Sequence, residues 1–187
     1  MRSRLIVLGA AAALLLTGCT EEVPPAGLPP VQVVEPPAAS AGGACVLWDY
    51  AFIEDRVGVR FTVAAGDQVD DTSTCVVQTE VGPAPSLVLT VVDSTTADAE
   101  LFTANVMPEK ATKVKGLGRA GYRLVGRAGK GAGPSVEVGW LSEAQQLQSL
   151  KFTFAEGAPA GAVDDMTKRL VAMAKTMDTT DGEPDAK

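Results

Sequence analysis

Near the C-terminus Val163, Met166, Leu170, Met173 and Met177 recur at spacings of three, four, three and four residues. That period sets all five on one stripe of an α-helix. Asp164 and Asp165 stand near its start and Lys175 near its end, so the charges complement the helix dipole. An isolated helix with a single apolar stripe is marginal in water and must bury that stripe against a second layer. The methionines therefore read first as packing surface and only second as a ligand face.

The upstream sequence supplies that layer as strands. Leu87, Leu89 and Val91 alternate in a strand over 86–92; Val136, Val138 and Trp140 share one strand face, and Leu150, Phe152 and Phe154 another. A hairpin loop over 142–146 joins the last two. Val114 begins a further strand, interrupted by glycines and resumed at 122–125, and a glycine-rich turn follows over 129–134. Closer to the N-terminus, Leu47, Tyr50 and Ile53 recur at helical spacing and suggest a short helix over 47–53 with Gly58 as its stop, while the aromatic and branched residues there leave a strand as the alternative. A strand over 60–63, a polar turn over 66–73 and a strand around 75–77 come next. Thr95 and Asp98 resemble a capping box for a helix over 97–107 that Pro108 closes. The expected class is α+β: a mainly antiparallel sheet packed by the C-terminal amphipathic helix and one or two shorter helices.

Composition narrows the chemistry. The 187 residues include no histidine, which removes Ser-His-Asp and Cys-His nucleophile pairs, His-ligated zinc and histidine pH switches. With 16 Lys and Arg against 23 Asp and Glu, general nucleic-acid binding is not expected, because it needs a broad basic surface to displace counterions. No S-x-x-K motif motivates Ser-Lys catalysis, and no carboxylate spacing singles out an acid/base pair.

The N-terminus reads as an export signal. Arg2 and Arg4 precede an apolar run over 5–16, which is shorter than the roughly 20 residues of a membrane-spanning helix. The run ends in Leu16-Thr17-Gly18-Cys19, which resembles a bacterial lipobox. The resemblance implies cleavage after residue 18 and a diacylglyceryl thioether on Cys19; two acyl chains give stable anchoring where one is marginal. The expected organisation is a signal peptide over 1–18, a lipidated and proline-rich tether over 19–43, a globular domain over 44–178 and a polar tail over 179–187. The tether carries Pro24, Pro25, Pro29, Pro30, Pro36 and Pro37, half of the 12 prolines, and suits an extended spacer. The mature chain would hold 14 basic and 23 acidic residues, a formal charge of −9.

Cys45 and Cys75 then remain as an even pair in an oxidising compartment, where a disulfide is the default and two buried thiols the alternative. A tethered two-cysteine domain with the Val114-Lys115-Gly116-Leu117-Gly118 step, Ala120, Trp140 and a closing helix is similar to small actinobacterial lipoproteins of families of unknown function. For some of these a PsbP/Mog1-like α+β fold is implied, which would cover 45–178. The resemblance transfers no catalytic residue.

Three local patterns invite a chemical reading. Gly116-Leu117-Gly118-Arg119-Ala120-Gly121 matches G-x-G-x-x-G, but strand-like residues follow it where a dinucleotide site needs a helix; a tight turn suffices, and no cofactor is expected. Asp67, Asp70 and Asp71 lack the spacing and distal Glu of a calcium loop, so no metal is expected. Lys110, Lys113, Lys115, Arg119, Arg123, Arg127 and Lys130 form a basic run with no acid between Glu109 and Glu137. The first five are candidate residues for an anionic ligand; the bland alternative is a solvated face balanced by acids that folding brings near.

The functional expectation is a lipid-anchored, extracytoplasmic accessory or binding lipoprotein without catalytic activity, on the outer face of the cell membrane. Its partners would be the membrane through the anchor, and an anionic envelope polymer, lipid headgroup or envelope protein. The rival reading is a lipid or glycolipid carrier with an apolar cavity, and a histidine-free hydrolase ranks third.

Overall fold

The computed structural model describes residues 36–93 and 96–180. The signal segment, Cys19, most of the tether, Thr95 and residues 181–187 lie outside them. Seven strands form one antiparallel sheet: β1 (Val63–Val69), β2 (Thr72–Thr79), β3 (Gly82–Asp93), β4 (Thr112–Lys113), β5 (Ala120–Gly126), β6 (Ser135–Leu141) and β7 (Gln146–Thr153), in the order β1-β2-β3-β7-β6-β5-β4. Two meanders thus meet where β7 pairs with β3, with Leu89 opposite Leu150 and Leu87 opposite Phe152. The helices are α1 (Tyr50–Val57), a single turn α2 (Ala99–Leu101) and α3 (Ala160–Thr180). The α+β class is as the patterning predicts.

Register explains the core. Cys75, Leu89, Leu150 and Val138 lie in one cross-strand row, and Val77, Leu87, Phe152 and Val136 in the next. Side chains directly opposite in a sheet share a face, so these rows make one continuous apolar surface. All eight are fully buried. α3 lies chiefly over β6 and beside α1. Its Met166, Leu170 and Met173 join Trp140, Leu150 and Phe152 in one cluster, with Val163 packed against it. Side chains fill the space between this helix and the sheet.

At the other end of the same face, 3-10 turns at Ala38–Ala41 and Gly43–Leu47 take the helix's place. Cys45, in the second turn, is bonded to Cys75 of β2, with Cα atoms 4.8 Å apart. The junction between the two turns presses so close to β1 that a Cβ on Gly66 would collide with the carbonyl oxygens of Ala41 and Gly42. The folded unit therefore starts before residue 44: Ala38, read as tether, is fully buried and belongs to the main apolar cluster.

Several local expectations shift. The first helix starts at Tyr50, not Leu47, because Asp49 caps it by accepting the Ala51 N–H at 2.7 Å; Leu47 is left exposed. Gly58 closes it in the left-handed conformation, as predicted. The strand expected over 60–63 begins only at Val63 and runs through the expected polar turn, whose actual tip is Asp70–Asp71. Polar residues there sit on an edge strand that needs no apolar side chain to stay paired. Val114 follows rather than begins the two-residue β4. The helix expected over 97–107 is one α-turn capped by Asp98, which accepts the Glu100 and Leu101 N–H groups, followed by a π-turn over Phe102–Val106. The wider turn lets Phe102 drop onto the second face of the sheet, where it joins Tyr122 and Leu141 in a smaller cluster.

Candidate functional site

Alternation along β5 divides the basic run. Arg123 stands opposite Val138 and Thr112, in the row that faces α3; Lys113 stands opposite Tyr122, in the row that faces the other way. A period of two separates residues that are close in sequence. Lys115 and Arg119 are exposed around the glycine turn, and Arg127 and Lys130 are exposed in the loop after β5. Of the five candidate anion-binding residues, Lys110 and Arg123 line one cleft of about 260 Å3, and Lys113, Lys115 and Arg119 do not.

That cleft exists because α3 covers β6 and not the sheet edge. Burial in these rows ends at Val138 and Val136: their continuations on β5, Arg123 and Val125, are both exposed. Thr112 of β4 and Lys110 before it form one wall. Asp164 and Thr167, three residues apart on the first turns of α3, form the other. The Thr167 hydroxyl is engaged, donating to the Val163 carbonyl at 2.8 Å. Among the described residues Lys110, Arg123 and Asp164 form no ion pair, although all three border the same space. Two cations and one carboxylate thus border a common volume, unpaired with any other described residue.

On the opposite face the Tyr122 ring lies over Gly139. A Cβ there would stand 2.5 Å from the ring, so glycine at 139 is what allows the tyrosine to lie flat. Its hydroxyl donates to Glu137 at 2.7 Å, and Lys151 stands 4.0 Å from the other Glu137 oxygen. Burial first, then the hydrogen bond to Glu137 and its negative charge, push the Tyr122 phenol well above the usual tyrosine range. A phenol held neutral this firmly serves as a hydrogen-bond donor, not as a base at neutral pH.

The glycine motif leads into β5. Gly116 and Gly118 both take positive φ; the Gly118 N–H donates to Asp178 at 3.1 Å and the Arg119 N–H to the Leu141 carbonyl at 2.9 Å. These amides hold the turn against the end of α3 and the end of β6, and so are already engaged within the fold. Asp67 lies within β1 while Asp70 and Asp71 occupy the hairpin tip. Among the described residues no three Cys, Asp or Glu side chains are placed to hold a metal ion, and no helix is long and apolar enough to cross a membrane.

The sequence reading missed Thr112, Asp164 and Thr167 as cleft residues. Asp164 carries a local explanation in the helix dipole, and its distance of 41 positions from Arg123 hides the juxtaposition. The Tyr122–Glu137 bond was equally hidden, because it depends on the β5–β6 register. Compared with known protein families, curated proteins and solved structures, the chain finds no match.

Proposed function

We propose that this protein is a lipid-anchored, extracytoplasmic accessory or binding lipoprotein without catalytic activity. The observation that carries the reading is Leu16-Thr17-Gly18-Cys19 directly after a basic start and a short apolar run. The Cys45–Cys75 bond agrees with an oxidising compartment. A histidine-free composition supports a binding role over nucleophilic catalysis. Mass spectrometry of the N-terminus from the native membrane should find Cys19 as the first residue, carrying a diacylglyceryl group. A soluble product cut elsewhere and bearing an unmodified cysteine would sink the reading.

A carrier would need an apolar cavity, for which about 300 Å3 is a lower bound even for small ligands. The packing of Met166, Leu170 and Met173 on Trp140, Leu150 and Phe152 supports the accessory reading instead. Native mass spectrometry separates the two. Stoichiometric lipid that co-purifies with the protein and disappears in Leu170→Trp would favour the carrier.

A further inference from the structure

We propose that the cleft between the β4–β5 edge and the first turns of α3 binds a polyol phosphate, with the phosphate on Lys110 and Arg123 and an adjacent hydroxyl donating to Asp164. The inference deepens the binding-lipoprotein reading and rests on it. Two cations reach the cleft from different elements, Lys110 from the turn before β4 and Arg123 from β5. A planar carboxylate fills one guanidinium fork; a tetrahedral phosphate presents further oxygens to a second cation and to the nearby Thr112. None of the three charged groups is tied up in an ion pair among the described residues.

Asp164 sets the selectivity. Beside a bare anion its carboxylate is repulsive, and the local balance is only one net positive charge. A ligand hydroxyl next to the phosphate turns that neighbour into a hydrogen-bond acceptor. Val125, which follows Arg123 on the same strand face and is 53% exposed, gives the carbon skeleton an apolar surface. The cleft, at about 260 Å3, lies below the range for drug-sized ligands, which suits a single headgroup-sized moiety. Such a group exists both free in solution and on a phospholipid, and the chemistry is the same.

The test uses the full chain in detergent micelles at low salt, with sn-glycerol 3-phosphate as the probe and backbone amide shifts as the readout. Saturable shifts should centre on residues 123–125 and 164–167. Arg123→Gln should weaken binding roughly tenfold, as loss of a charge-assisted bidentate contact does. Lys113→Gln, compared with wild type at about 0.15 M salt, should change it by less than about twofold, because its charge lies across the sheet from the cleft and is screened there. Asp164→Asn should narrow the preference for glycerol 3-phosphate over inorganic phosphate. Glycerate should bind more weakly than glycerol 3-phosphate.

A second arm asks where the phosphate comes from. Chain carrying Cys19→Ala is sedimented with vesicles of phosphatidylglycerol in phosphatidylcholine and with phosphatidylcholine alone. Sedimentation that needs phosphatidylglycerol and is lost in Arg123→Gln assigns the site to a lipid headgroup. Soluble-probe binding without sedimentation assigns it to a free compound. Absence of saturable shifts, shifts centred on Lys113 to Arg119, or equal affinity of wild type and Arg123→Gln would overturn the proposal. The mass of the native N-terminus is independent of all of these, so anchoring and ligand class fail separately.

Discussion

The two halves of the sheet bury the same kind of apolar face by different means. Over β6 and its neighbours a 21-residue helix spreads Met166, Leu170 and Met173 across Val138, Trp140 and Leu150. Over β1 and β2 two short turns do the covering, with a covalent bond from Cys45 to Cys75 and a glycine-to-backbone approach at Gly66. A long helix buries enough surface to hold itself in place. Turns of four and five residues bury little and have no cooperative hydrogen-bond ladder, so a disulfide that lowers unfolded-state entropy is the natural supplement.

The comparison can be broken most severely on the helix side. Leu170 is fully buried between helix and sheet, so Leu170→Ala should lower stability by about 4 kcal/mol through lost transfer energy plus a cavity. Urea unfolding would show this as a lower midpoint with little change in slope. A loss under about 1 kcal/mol would mean that the helix is not the main cover of this half.

Removing the staple with Cys45→Ala and Cys75→Ala should cost roughly 3.5 kcal/mol, the value expected for closing a loop of this length. The two regions should also respond differently. In the disulfide-free protein, amide exchange should accelerate first in β1 and the turn over 43–47, with β6 and β7 protected until global unfolding. Uniform acceleration across all seven strands would contradict a division of labour between staple and helix.

The smallest effect probes the second face, where Tyr122 donates to Glu137. Tyr122→Phe should cost about 1.5–2 kcal/mol at neutral pH, the low end for a hydrogen bond to a charged acceptor. Its pH signature is sharper than its size. The folded phenol holds its proton more tightly than the unfolded one, so its contribution is complete below about pH 10 and declines as pH rises above it. Stability of the wild type should therefore fall more steeply than that of Tyr122→Phe in alkaline titrations. Parallel curves would show that this phenol is not held neutral by the fold.

Elements whose side chains follow a strong period were legible. The α3 stripe, the alternation of Leu87, Leu89 and Val91, and the left-handed stop at Gly58 all stand where local pattern puts them. Elements carried by polar residues were not. β1 reads as a turn because it is an edge strand whose hydrogen bonds, not its side chains, hold it to β2. The start of α1 hinged on one cap, Asp49, which outweighed the apolar spacing of Leu47.

The sequence alone determined the class of the fold, the helix face to be buried, the exclusion of histidine chemistry and the two cysteines available for pairing, because composition and period are properties of the chain itself. Only the tertiary structure decided which charges meet. The basic run from Lys110 to Lys130 is continuous in sequence, yet strand alternation turns Lys113 and Arg123 to opposite faces. The helix then brings Asp164 to Arg123 across 41 positions. Register and packing set those distances, and neither is written in any local stretch of residues.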